Sequence, residues 1–191
     1  MNRIVEPVLE ESPYGTRVEI FSLPAEESVL ERLLRDLFEN HWHEIVFGPF
    51  VEGAAFELRC PHKPDRIGLH DGYLTVHFGP SHFHLCIGDN AGSPGHPTPA
   101  ALRRHRRTAR AELYRGLDPD GCPVHWGLRL YNGAGEQQCN FFFPNPFLTA
   151  EDRIAPQPDW SRLALWEALN ARYLGRGADP RDRSARRFYH G

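Results

Sequence analysis

The chain lacks the features that would place it in or across a membrane. Its first residues, MNRIVEPVLEESPYG, contain no apolar run of signal-peptide length and carry several glutamates, which secretory and transit peptides avoid. No segment approaches the roughly 20 apolar residues of a membrane span. The expectation is a cytoplasmic protein with no membrane attachment. Cysteine is sparse, and the four residues at 60, 86, 122 and 139 form no Cys-x-x-Cys pair. That excludes a zinc ribbon and a thioredoxin-like redox motif, and in a reducing cytosol it predicts free thiols or metal ligands. A dominant charge of one sign is also missing, since the formal net charge is -3. Nothing global therefore draws the chain to nucleic acid or to an anionic surface. There is no internal repeat.

What is present reads as an α+β protein, an antiparallel sheet with about three helices packed on one face. The 191 residues suit one domain with a core of its own, set here at 1–175, followed by a flexible Arg-rich tail over 176–191. Leu30, Leu33, Leu34, Leu37 and Phe38 recur at helical spacing and predict a helix from Ala25 to Asn40. Short β segments follow, punctuated by Gly and Pro: 45–50, 54–60, 66–69, 73–78 and 82–87. Thr98-Pro99 is a good cap for a second helix, read as running to Leu117. A hairpin of 124–131 with 137–143 across Asn132-Gly133-Ala134-Gly135 comes next. A last helix, Asp159 to Leu174, ends at Gly175.

The most informative stretch is Ser81-His82-Phe83-His84-Leu85-Cys86-Ile87. In a strand, alternate side chains share a face, so His82, His84 and Cys86 lie opposite Phe83, Leu85 and Ile87. Treating Phe78-Gly79-Pro80-Ser81 as the turn pairs His77 with His82, Thr75 with His84 and Tyr73 with Cys86, which collects the polar side chains on one face. Imidazole and thiolate are the preferred ligands of zinc, and imidazole also suits iron. The candidate metal shell is therefore His82, His84, Cys86 and His77, holding zinc or iron. His41, His43, Cys60 and His62 could complete it if their strands neighbour this hairpin. An open coordination position would make the protein a hydrolytic or lyase-type metalloenzyme, with His84, Tyr73 or Glu44 as catalytic candidates. The opposing reading is a hydrogen-bonded polar face with no ion, in which Cys86 packs as a small hydrophobe.

A second feature is the basic run around Arg103, Arg106, Arg107 and Arg110, able to meet a small anionic ligand or a partner protein. Its simplest reading is a solvated helix face. No aromatic residues interleave with these arginines as single-strand binders require, so nucleic acid is not the expected partner. Glu136, Gln137 and Gln138 could line a pocket, although strand polarity alone explains them.

Two resemblances bear on function. The strand motif His82-x-His84-x-Cys86 resembles the His-x-His-x-His of the histidine-triad superfamily of nucleotide hydrolases and transferases. That likeness implies His84 as nucleophile and His82 as the residue orienting it, while Cys86 stands where that family has His or Gln. Over most of its length, in the pieces HWHEIVFGPF, FGPSHFHLCIGDN, HRRTARAELYRGL, WGLRLYNGAGEQ, FFFPNPFL and DWSRLALWEAL, the chain resembles an uncharacterised bacterial family described only as a domain of unknown function. This second resemblance implies no activity and no catalytic residue.

Overall fold

The computed structural model describes residues 6–11, 16–51 and 53–189. Strands β1 (Val8–Glu11) and β2 (Arg17–Leu23) precede helix α1 (Glu27–Asn40). Seven strands follow: β3 (Val46–Gly48), β4 (Phe50–Val51), β5 (Ala54–Ala55), β6 (Leu58–Arg59), β7 (Arg66–His70), β8 (Tyr73–Phe78) and β9 (Ser81–Cys86). A two-residue pair, β10 (Gly92–Ser93) and β11 (His96–Pro97), leads to α2 (Ala100–Arg106), then to β12 (Thr108–Leu117), β13 (Pro123–Asn132) and β14 (Gln137–Phe142). Helix α3 (Ala164–Leu169) closes the list, flanked by a 3-10 turn over Trp160–Leu163 and a π turn over Asn170–Leu174. One seven-stranded sheet has the order β1-β2-β12-β13-β14-β3-β6, and β7-β8-β9 form a separate three-stranded sheet.

This overturns the expected fold class. Strand accounts for 39% of the chain and helix for 22%, and the helices are short and do not pack together on one face. The largest error lies in the arginine-rich segment. Its helix stops at Arg106, where Arg107 turns extended with ψ 148, and the residues expected to continue it form β12. The short helix that does form buries no residue, and its Leu102 is 37% exposed. As a strand, every residue from Ala111 to Leu117 is buried. Tertiary burial has overridden the helical preference of Ala, Glu, Leu and Arg.

The chain divides into two compact units. One comprises residues 1–23, 112–128 and 142–191, and the other residues 24–111 and 129–141.

In the second of these units α1 follows its sequence pattern, with Leu30, Leu33, Leu34, Leu37 and Phe38 all at 0% exposure. Phe38 meets Phe47 edge-on at 4.9 Å and Phe141 at 5.8 Å, while Phe47 stacks on Phe141 at 5.7 Å. Burial of each such ring contributes about 1.5–3 kcal/mol. The β7–β8 turn is Asp71-Gly72, with φ 46 and 79, the left-handed pair that a two-residue hairpin of this type requires. Gly72 is doubly constrained, because a Cβ there would lie 2.8 Å from the backbone of Gly88 and Asp89. The Asp71 carboxylate accepts from Asn90 Nδ2 at 2.6 Å and from the amides of Ala91 at 2.7 Å and Gly92 at 3.0 Å. One turn residue thus holds the Gly/Pro-rich loop against the hairpin.

The first unit is organised around Arg115, a buried cation on β12. Its guanidinium donates to Glu19 at 2.7 Å, Asp179 at 2.8 Å and Asp182 at 2.8 Å. Asp182 also accepts from the indoles of Trp126 at 2.9 Å and Trp166 at 2.8 Å, so both its oxygens are engaged. Burial pushes the Glu19 carboxyl up, but hydrogen bonds from Arg115 and Arg181 outweigh it and hold the group below its usual value. Part of the segment expected as a flexible tail is thereby anchored: residues 180–183 form a 3-10 turn, and Asp182 and Ala185 are 1% and 5% exposed. The last helix begins as its sequence suggests, with Asp159 accepting from Ser161 N, and ends at Gly175 with φ 64.

Arg115→Met leaves Asp182 a buried charge with only the two indoles as donors and Glu19 with Arg181 alone, and is expected to cost about 3–5 kcal/mol in urea unfolding. Arg186→Met, at an exposed position, is expected to change little. Glu19 and Asp179 have lowered folded pKa values, so their contribution is present above the ordinary carboxylate pKa and lost as pH falls through the folded values. A loss below about 1 kcal/mol for Arg115→Met at neutral pH would contradict the assignment.

Candidate functional site

The β8–β9 hairpin has the register inferred from its sequence: Tyr73 faces Cys86, Thr75 faces His84 and His77 faces His82. Leu74, Val76, Phe78 and Leu85 are buried on the opposite face at 0%, 0%, 3% and 4% exposure. Alternation with period two and the Gly79-Pro80 turn are enough to fix this pairing. The polar face is not uniform along its length, however, and its two ends differ in chemistry.

At the turn end the imidazoles face solvent. His82 and His84 are exposed, with ring centroids 4.6 Å apart, and His77 lies 5.8 Å from His82. One ring nitrogen of His77 and one of His84 are engaged. Arg66, paired with His77 across β7–β8, donates to His77 Nε2 at 3.1 Å, and Thr75 Oγ1 shares a hydrogen bond with His84 Nδ1 at 2.8 Å. Partial desolvation, then the Arg66 charge, hold the His77 imidazole below its ordinary pKa. A donor aimed at Nε2 favours a neutral ring but consumes the lone pair a metal would need. Among the described residues no group of three or more His, Cys, Asp or Glu side chains is arranged to hold a metal ion.

At the inner end the same face closes into a cleft of about 810 Å³, lined by Tyr73, His84, Cys86, Arg106 and Gln138, with Phe50 and Val51 of β4 along its edge. Cys86 is buried at 5% exposure, hydrogen-bonds with the Tyr73 hydroxyl and donates to the Gly88 carbonyl at 3.5 Å. Burial raises the thiol above its usual pKa despite the Tyr73 hydrogen bond, and burial, then the nearby Cys86 sulfur, raises Tyr73. Both groups are neutral near pH 7, which argues against a thiolate nucleophile here.

Gln138 forms the cleft's rigid wall. Its Nε2 donates to the Arg106 carbonyl at 2.8 Å, and its Oε1 accepts from Thr108 Oγ1 at 2.8 Å. Arg106 donates to the neutral Asn90 amide oxygen at 2.8 Å, and among the described residues no carboxylate pairs with it. His105 and Glu136, also lining the cleft, lie 3.4 Å apart.

The remaining sequence candidates fall elsewhere. Glu44 contacts His41 at 2.9 Å and His43 at 3.8 Å, a cluster just beyond α1. Cys60 is buried, its thiol pushed up to about 12 by desolvation, and His62 Nδ1 bonds the Lys63 carbonyl at 2.8 Å. The four arginines are dispersed. Arg103 pairs with Asp89, Arg107 is exposed, and Arg110 lies on β12 with its guanidinium 3.7 Å from the Tyr131 ring centroid. Only Arg106 reaches the cleft. No local pattern marks Asn90 and Thr108, which act through neighbours distant in the chain, or Phe50 and Val51, which join the cleft only in the folded protein.

Fold and site together define an antiparallel β protein with a polar cleft at the inner end of a histidine-bearing hairpin. The chain belongs to a family of unknown function (DUF7676), whose model matches residues 7–175. No curated protein matches it.

Arg66→Gln removes the second-largest influence on His77, so the His77 titration midpoint, followed by NMR of its ring protons, is expected to rise toward the ordinary histidine value. An unchanged midpoint would mean that Arg66 does not engage that ring in solution.

Proposed function

We propose that the protein binds a small organic anion in the cleft between β4, the inner end of β8–β9 and the end of α2. The observation that carries this reading is Arg106, a half-buried guanidinium beside an 810 Å³ cleft whose hydrogen bond is to a neutral amide. Elsewhere in the chain Arg103 and Arg115 have carboxylate partners. A guanidinium without one has N–H donors to spare for a carboxylate or phosphate, in the forked geometry both prefer.

Most of the remaining lining suits the same ligand class, the Glu136 carboxylate beside His105 being the exception. Phe50 and Val51, 39% and 61% exposed, offer an apolar surface for the body of the molecule, while the Tyr73 hydroxyl and His84 add polar contacts beside the charged head. Pockets for small molecules commonly combine an apolar lining with a few fixed polar groups. Gln138 is tied on both sides, so the wall carries little reorganisation cost on binding. Zinc or iron at the hairpin receives no support from this geometry, because among the described residues no three His, Cys, Asp or Glu side chains are grouped to hold an ion.

The test is a thermal-shift panel of aryl and alkyl carboxylates and phosphates, with benzoate and phenyl phosphate as first probes and benzamide as the neutral control. At a 100-fold excess over Kd, binding stabilises the folded state by about 2.7 kcal/mol, which corresponds to about 5–10 °C for a chain of this size. Anions and not benzamide are expected to raise the melting temperature. Arg106→Gln should abolish the rise and Arg107→Gln should keep it. A panel without any shift, or a shift that survives Arg106→Gln, would overturn the proposal.

A further inference from the structure

The Arg115 cluster has the composition of a recognition site as well as that of a structural ion pair. On one side stand Arg115, 2% exposed, Glu19 at 8%, and the indoles of Trp126 and Trp166. On the other stands a four-residue segment, Asp179-Pro180-Arg181-Asp182, whose charges alternate against those of the cradle. Asp182 accepts from Arg115 at 2.8 Å and from both indoles. Asp179 accepts from Arg115 at 2.8 Å. Arg181 pairs with Glu19 and donates to the Gly121 carbonyl at 2.8 Å. The segment is also preorganised, since Asp179 Oδ1 accepts from the Arg181 amide at 3.0 Å and Pro180 fixes the first φ of the turn.

Two further observations separate the segment from the body that holds it. All four cradle residues lie within the family-matched stretch, 7–175, and the bound segment lies outside it. From Asp179 to Tyr189 only Asp182 and Ala185 are buried, and the link through Gly177 and Ala178 is exposed. A Cβ built on Gly177 would meet nothing within 4 Å. The segment is therefore held by a few charged anchors and not by an extended apolar interface.

We propose that the Arg115–Trp126–Trp166 cradle is a peptide-binding site for the pattern Asp-x-Arg-Asp, filled in cis by the chain's own residues 179–182 and open to the same pattern in trans when that segment is released. Buried, charge-assisted hydrogen bonds to Asp182 supply the specificity.

The full chain with a protease site inserted between Gly177 and Ala178 tests this. After cleavage the protein is purified away from its released segment, its fold is checked by circular dichroism, and a fluorescein-labelled peptide of residues 178–189 is titrated in by anisotropy. Saturable binding is expected, weakened at least tenfold in a peptide carrying Asp182→Asn, and lowered likewise by salt. The uncleaved protein should take up no labelled peptide. Three results would overturn the proposal: cleaved protein that stays folded but binds no peptide, equal binding of the Asp182→Asn peptide, or unfolding on cleavage, which would make the segment an integral part of the core.

Discussion

The register of the β8–β9 hairpin is the constraint on which the proposed site depends. Side chains alternate with period two, so a slip of one residue would turn Leu74, Val76, Phe78 and Leu85 out of the core and bury Thr75, His77 and His84 in their place. Four apolar side chains at 4% exposure or less make that slip very unfavourable, at about 1.5–3 kcal/mol for each one exposed. The same register brings Tyr73 opposite Cys86 and Thr75 opposite His84. The Asp71-Gly72 turn at one end and the Gly79-Pro80 turn at the other hold it in place.

From this constraint follows a division of labour along one face. Near the Gly79-Pro80 turn the imidazoles are solvated and hydrogen-bonded to Arg66 and Thr75, so they have hydration and neighbours but no enclosure. Toward Tyr73 and Cys86 the face is roofed by the end of α2 and the β13–β14 hairpin. There the dielectric falls, hydrogen bonds strengthen, and a charge such as Arg106 counts for more. The proposed anion site lies where water is partly excluded, away from where the histidines are densest. The Arg115 cluster obeys the same rule in its own unit, with a charge buried at 2% exposure and compensated by three carboxylates.

Several of these features were legible in the sequence because their causes are local. The α1 stripe needs only a 3.6-residue period, and the hairpin pairing needs only a 2-residue period plus a turn, as does the end of the last helix at Gly175. What was not legible depends on distant partners. Thr108–Leu117 is written in good helix formers, and only burial between β2 and β13 makes it a strand. Asp182 lies 67 residues from Arg115 and 56 from Trp126, so an Arg-rich, Gly-containing segment read naturally as a loose tail. The surroundings of the histidines were hidden for a related reason: His-x-His-x-Cys states which side chains share a face, but not that Arg66 meets His77 Nε2 and Thr75 meets His84 Nδ1. Of the cleft, Tyr73, His84, Cys86, Arg106 and the pocket-lining Glu136, Gln137 and Gln138 were visible as residue types, while the contacts of Thr108 and Asn90 that hold the wall required the fold.

The central claim is that the functional end of the hairpin is the enclosed one. The most direct measurement is an NMR titration of isotope-labelled protein with phenyl phosphate and, separately, with zinc, mapping which backbone amides and side chains respond. The account predicts saturable shifts from phenyl phosphate at Tyr73, Cys86, Arg106 and Gln138, with His77 and His82 silent, and no stoichiometric response to zinc. Tight zinc-dependent shifts at His77, His82 and His84, with the cleft residues unmoved by the anion, would contradict it.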